Sequence, residues 1–355
     1  MFGTTRKISN GELVANALRH SWRVSANNLD SGQADFDTVT PLLYDSGAAG
    51  LGWWRIRYHE LSSTPSGELL HQAFRLLTLQ AAIHENKIAR VVRAFRAGKV
   101  EPVLIKGWAM ARLYPERALR PYGDIDLLVR PRDKRIAYKI VASEQLRDCQ
   151  IDLHAGAFEV ADRSVEDLYA RSQLVVCKDE QLLVLGEEDH LALIAVHLLK
   201  HAAWRPLWLC DLALLVETAS PKFDWNVCLG SDSRRANWIL SAIGLAHALL
   251  DANIADAQIA LRAAAPSWLI QAVLKNWAQP FAGKHEPNNH LAEMRSYARR
   301  PRGLLRDLKR RWPDPILATV SVNGSFGSRR RLRYQLRNCL ERTARLVHCA
   351  TQTAS

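Results

Sequence analysis

Behind Thr64-Pro65, apolar residues at Leu70, Phe74, Leu77, Ala81, Ile88, Val92 and Phe95 recur at helical spacing as far as Gly98. That period predicts one long amphipathic helix, with Thr64 as its cap, Pro65 as its first helical residue and Gly98 as its stop. The pattern then changes. Pro102-Val103-Leu104-Ile105 predicts a short buried strand ending at Lys106-Gly107, and Trp108 to Tyr114 a helix closed by Pro115. Ile125-Asp126-Leu127-Leu128-Val129, bounded by Gly123 and Pro131, predicts a second strand, and residues 132–146 a helix. Gln150-Ile151-Asp152-Leu153-His154 alternates polar with apolar and predicts a third strand. From Glu187 the pattern is helical, with Glu187, Glu188 and Asp189 suiting the positive end of a helix that runs to about His201. The first sixty residues are short apolar runs broken at Asn27-Asn28, Ser31-Gly32 and Gly47 to Gly50, which predicts two or three short helices. The expected class is α+β: a small mixed sheet flanked by helices, with a mainly helical C-terminal region. The expected divisions are an N-terminal helical region at 1–64, a core at 65–160, a helical region at 161–294 and a basic C-terminal region at 295–355.

Composition narrows the class. With 355 residues, 48% apolar and 24% charged, the chain has globular usage, which excludes disordered, collagen-like and disulfide-stapled proteins. Its longest strongly apolar stretch, Leu191 to Val216, is interrupted by His197, Lys200, His201, Arg205 and Asp211, so no membrane span is expected. The start, Met-Phe-Gly-Thr-Thr-Arg-Lys, leads into polar residues and not an apolar run, and the six cysteines contain no C-x-x-C pair. A cytoplasmic location with free thiols is the expectation. The net charge of +12 lies wholly in residues 295–355, where 15 Lys/Arg face three acids. Clusters such as Lys309-Arg310-Arg311 and Arg329-Arg330-Arg331 suit a nucleic-acid or acidic protein partner. They better suit a solvated face of helices that pack through Leu304, Leu305, Leu308, Leu332, Leu336 and Leu340.

The candidate chemistry lies in the neutral part of the chain. Asp124 and Asp126 stand two apart at the mouth of a predicted strand, so both leave one face with Cα atoms roughly 6.6 Å apart while Ile125 points to the core. Such a pair can share divalent ions, although an isolated D-x-D is also common in exposed turns. Without metal the two like charges repel, so Asp→Asn changes are expected to leave stability level or higher. Lys106-Gly107 offers a cation and a glycine where backbone must approach a phosphate. Asp152 on the third strand is placed to complete a carboxylate triad, the apparatus that polymerase-like nucleotidyl transfer needs to hold Mg²⁺ and a triphosphate.

The run Val103-Leu-Ile-Lys-Gly-Trp-Ala-Met-Ala-Arg-Leu-Tyr-Pro115, followed by Leu119-Arg-Pro-Tyr-Gly-Asp-Ile-Asp-Leu-Leu-Val129, resembles the signature of a bacterial family of uncharacterised nucleotidyltransferases in the polymerase-β-like superfamily. Glu188-Asp-His-Leu-Ala-Leu with His197, Lys200, His201 and Trp208-Leu-Cys-Asp-Leu212 resembles its second block. The resemblance implies a sheet of the nucleotidyltransferase type, metal ligands at Asp124, Asp126 and Asp152, and a triphosphate met by Lys106 and Gly107. In the superfamily the turn usually reads Gly-Ser; here lysine precedes the glycine and Trp108 follows it, as is usual in this family. The stretch from Asp126 to Asp152 is shorter than the family's, as though a hairpin were missing.

Four further side chains carry open alternatives. Arg120 suits either a phosphate or neutralisation of the acidic pair. His154, on the face of Asp152, suits hydrogen bonding at the metal site or a buried structural role. His197 and His201 stand at i and i+4, which suits packing and hydrogen bonding better than zinc, since Leu198 replaces the glutamate of a metalloprotease motif. Asp211 is expected to pair with Arg205, Lys200 or His201. The expected function is Mg²⁺-dependent transfer of NMP from an NTP to an acceptor hydroxyl, phosphate or amine, with Asp152 as the acceptor's base. The alternative is a binding or regulatory protein that keeps the fold without turnover.

Overall fold

The computed structural model describes residues 8–25, 35–156, 159–160, 162–280, 312–327 and 331–352. Three short helices come first: α1 (Asn10–Leu18), α2 (Phe36–Asp45) and α3 (Ala49–Ile56). The long helix α4 (Pro65–Ala97) begins where the pattern places it, because the Thr64 hydroxyl accepts the Gly67 N–H at 3.1 Å. Then follow β1 (Val103–Leu104), α5 (Trp108–Ala111), β2 (Ile125–Leu128), α6 (Lys134–Val141) and β3 (Ile151–His154). The helix expected over 132–146 is thus cut to α6, flanked by 3-10 turns at Pro131–Asp133 and Glu144–Leu146. Beyond them come α7 (Val165–Ala170), β4 (Gln173–Cys177), β5 (Glu180–Val184), α8 (Glu187–Lys200), α9 (Pro206–Glu217), α10 (Trp225–Leu229), α11 (Ser233–Leu250), α12 (Ala257–Arg262) and α13 (Ser267–Trp277). The last described helices are α14 (Pro315–Ser321) and α15 (Leu332–Gln352).

The sheet has the order β3-β2-β1-β5-β4 and is mixed: β2–β3 and β1–β5 are parallel, β1–β2 and β4–β5 antiparallel. The β4–β5 hairpin is absent from the sequence reading. It carries the sheet past residue 160, because β5 docks beside β1 with Val103 opposite Leu183 and Leu104 opposite Val184. Alternation along the strands divides the interior in two. Leu104, Ile125, Leu127, Val129, Leu182 and Val184 face a core formed with Ile88, Val91, Val92 and Phe95 of α4. Val103, Ile105, Leu128 and Leu185 face the larger core shared with α8, α9 and α11. The D-x-D pair rises from this second face.

The acids opening α8 do more than complement its dipole. Asp189 is fully buried and is held by Arg163 and by Arg171, whose Nε and Nη2 donate at 2.8 and 3.0 Å. Glu187 accepts from the Ser220 N–H and Glu188 from the Asp224 N–H, so this turn stitches α8 to the chain following α9. The expected leucine packing at the C-terminus is not seen: Leu332, Leu336 and Leu340 are exposed, because α15 lays its other side on α14. Leu304, Leu305, Leu308 and the cluster Lys309-Arg310-Arg311 lie outside the described residues. Arg331, by contrast, is drawn inward, donating to the Ser325 and Gly327 carbonyls and lying 4.6 Å over the Trp268 ring.

Candidate active site

Parallel pairing of β2 with β3 sets Asp126 directly beside Asp152, and Leu128 beside His154. The side chains of Asp126, Asp152 and His154 therefore leave one face of the sheet. His154 Nε2 lies 3.4 Å from Asp126 Oδ1 and 3.2 Å from Asp152 Oδ2. Ligand atoms of all three lie within 4.8 Å of one another, close enough to hold one cation. The pairing also separates their environments. The Asp126 side chain is 6% exposed, under the sheet's helical cover, while that of Asp152 is 57% exposed at the edge.

Lys106 completes this corner. Its Nζ lies 3.0 Å from Asp126 Oδ1, and the Ile105 N–H donates to the Asp126 carbonyl at 3.1 Å, so the β1 end is tied to the β2 carboxylate through side chain and backbone. Burial would raise the Asp126 carboxyl, but the His154 hydrogen bond and the Lys106 charge outweigh it and hold the group below the usual carboxylate range. Both contacts fall on Oδ1; neither uses Oδ2.

Gly107 has φ of +58°, a conformation L side chains rarely adopt. The position a Cβ would take is 3.4 Å from the Asp124 carbonyl, so the turn lies against the D-x-D backbone. Trp108 after the glycine is a packing residue. Its ring is buried, and its indole N–H donates at 3.0 Å to Glu85 of α4, which anchors the turn from behind. Asp124 is exposed, and among the described residues its carboxylate takes part in no hydrogen bond or ion pair. Its charge reaches His84 of α4 and Arg205 before α9.

Arg120 is engaged in the interior. Its Nη2 and Nε donate to Asp211 Oδ2 at 2.9 and 3.1 Å, and the Tyr114 hydroxyl donates to Oδ1 at 2.8 Å, all in the buried interior. This corrects one expectation: the Asp211 partner is Arg120 with Tyr114, not Arg205, Lys200 or His201. Arg120 is hydrogen-bonded to Asp211, and the charge of Asp126 reaches it as well. The physical reason is burial. Asp211 is 0% exposed within α9, and a carboxylate there needs a two-pronged guanidinium, which the segment before β2 brings to it. Arg205 donates instead to the Ser46 carbonyl at 2.7 Å.

A carboxylate–imidazole pair adjoins the corner and includes a residue that no sequence pattern marks. Glu159 Oε1 lies 3.3 Å from His197 Nδ1, with the Glu159 main-chain carbonyl held by Arg235. Burial would raise the Glu159 carboxyl, yet the His197 hydrogen bond and the charges of Lys106 and Lys200 bring it down to about 2. Glu159 follows the Gly156 bend and no periodic pattern marks it; only the fold sets it beside α8. His197 stacks among His201 at 4.4 Å and Trp208 at 4.8 Å, an aromatic wall in keeping with the packing and hydrogen-bonding reading.

No helix among the described residues is long and apolar enough to cross a membrane. Neither the curated proteins nor the solved structures contain a match to this chain. A family model does match, over residues 32–251, a stretch that takes in α2 to α11, the whole sheet, the Lys106-Gly107 turn and all three carboxylates. With well over half its length inside that match, the chain belongs to the uncharacterised nucleotidyltransferase family.

Proposed function

We propose that this protein transfers a nucleoside monophosphate from an NTP to an acceptor, using a divalent metal held by Asp126 and Asp152 with Asp124 as a further ligand. The observation that carries the reading is the register of β2 and β3, which sets two carboxylates side by side with His154 beside a lysine-glycine turn, inside the family match. The donor set suits a hard cation, since Asp124, Asp126 and Asp152 all offer carboxylate oxygen. Mg²⁺ is therefore the proposed ion; when bound it would supply charge neutralisation for the triphosphate and polarise the reacting phosphoryl group.

The residues of the chain do the remaining work. The Lys106 ammonium is positioned to exchange its Asp126 partner for a phosphate oxygen once that carboxylate has another cation. The Gly107 turn lets the triphosphate approach backbone that a side chain would hold off. His154 orients Asp126 by a hydrogen bond and lies within 3.2 Å of the Asp152 carboxylate. Arg120 supports the site from the interior by fixing the segment before β2.

The test is thermal shift of the full chain with ATP, GTP, CTP and UTP, each with and without MgCl₂, for wild type, Asp124→Asn and Asp126→Asn. A rise that needs both magnesium and nucleotide, and that is lost in Asp126→Asn, is the expected result. Nucleotide indifference in the folded wild type would leave a binding or regulatory protein that keeps the fold, and would overturn the reading.

A further inference from the structure

We infer that His197 is the base that takes the acceptor's proton, with Glu159 as its positioning residue, and that the acceptor is accordingly one whose attacking atom carries a proton, such as a hydroxyl, and not a phosphate. This inference rests on the transferase reading above. Three observations lead to it. First, Glu159 sits against His197 Nδ1 at 3.3 Å with its backbone clamped by Arg235, an arrangement that places the Nδ1 proton toward the carboxylate and leaves the lone pair on Nε2. Secondly, Glu159 is only 8% exposed, and its Oε2 is a buried oxygen with no hydrogen-bond partner among the described residues. A buried carboxylate with one oxygen unserved is a poor structural device. It is well suited to stabilising an imidazolium that exists only during turnover. Thirdly, the pair borders the metal corner: Lys106 acts on both Glu159 and His197, and the charge of Asp126 reaches His197.

The titratable and charged groups around the imidazole and its carboxylate are Glu159 from the loop after β3, Lys106 from the β1 turn and Asp126 from β2, Lys200 at the end of α8 and His201 just past it, with Arg235 of α11 behind Glu159. Burial within this set keeps His197 neutral near pH 7, the form a base requires. Asp152, the base expected from sequence, is the weaker candidate because its carboxylate is committed to His154 and to the proposed metal. In the step itself, the acceptor O–H proton passes to His197 Nε2 as the oxygen bonds to the α-phosphorus. The bond from the α-phosphorus to the bridging oxygen breaks, and its electron pair leaves with pyrophosphate. A phosphate acceptor would arrive already ionised and need no such base, whereas a hydroxyl does.

Two measurements test this on the full chain. Histidine side-chain ¹⁵N NMR should find neutral His197 as the Nδ1–H tautomer, and Glu159→Gln should perturb that signal. Pyrophosphate release from Mg²⁺ and NTP, with water as the acceptor, should fall on the acid side of its pH profile in wild type. His197→Gln should lose that acid limb and lower kcat by about 100-fold or more at unchanged KM, with the magnesium-nucleotide thermal shift retained. Glu159→Gln should lower kcat less and move the limb, and Glu159→Asp should restore part of it. The Nε2–H tautomer, or His197→Gln with the wild-type kcat and limb, overturns the base while leaving the transferase reading standing. A wild type with neither thermal shift nor pyrophosphate release overturns both.

Discussion

At Asp126 the tertiary structure reverses the expected sign of a mutation. Repulsion between Asp124 and Asp126 suggested that removing either charge would leave stability level or raise it. In the fold, Asp126 is buried and satisfied by Lys106 and His154, while Asp124 is exposed and pairs with neither. Asp126→Asn should therefore lower the metal-free melting temperature, because the buried side chain loses its charged pairing with Lys106, at about 1–3 kcal/mol. Asp124→Asn should stay within about 0.5 kcal/mol of wild type. Chemical denaturation without metal measures both, and equal effects would contradict the asymmetry. Gly107 offers a second check. Its Cβ position is not crowded, so Gly107→Ala should cost only the backbone strain of positive φ, about 1–2 kcal/mol, in the same assay.

Among the elements, α9 is joined to the sheet segment by the most deeply buried charge pair near the site. Arg120, Tyr114 and Asp211 form a closed set, so removing one member strands the others in the interior. Asp211→Ala is expected to destabilise by about 3–5 kcal/mol, with circular dichroism melts as the measurement. Replacement by Asn, which keeps acceptor capacity for Tyr114, should cost less. The long helix α4 illustrates a different balance. Its ends pack on α3 and on the sheet, and the stripe read from the sequence, Leu70 to Phe95, is buried or half-buried throughout, while Leu76, Leu79 and Ile83 lie off that stripe and are exposed.

Over the whole molecule, acid sensitivity should begin well above the carboxylate range. His190 is fully buried, with burial and then the Arg112 and Arg120 charges lowering it to about 3. His197 is lowered as well. Because the unfolded chain takes up these protons first, stability is full above pH of about 6.5 and declines as pH falls below that, on the order of 4 kcal/mol for His190 by the time its folded pKa is reached. Glu159 and Asp126, whose folded values are depressed, contribute stability above pH of about 4 that is lost on further acidification. Melting temperature against pH should show the upper phase shrink in His190→Gln. The basic C-terminal region also divides on structural grounds. Phe326 is buried, stacked on Trp268 at 5.7 Å, and the Trp238 indole donates to the Gly324 carbonyl at 2.7 Å. A chain ending at Val320 should therefore lose far more stability than one ending at Leu340, which a thermal melt of the two truncations would show.

Local pattern was sufficient wherever neighbours in sequence decide the outcome. The α4 cap at Thr64, the three strands of the motif and the start of α8 follow from periodicity and capping, which act within a few residues, whereas the shared face of Asp126 and Asp152 depends on the register of β2 with β3. The β4–β5 hairpin was not legible, since its exposed Leu174 and Val176 blur the alternation and its place is set by pairing with β1. Nor was the partner of Asp211, 91 residues from Arg120, or the approach of Glu159 to His197 across 38 residues. Such pairs are chosen by burial, which leaves a charged group no alternative to the one counter-charge the fold brings within reach. That requirement comes into being only when the chain has closed around it.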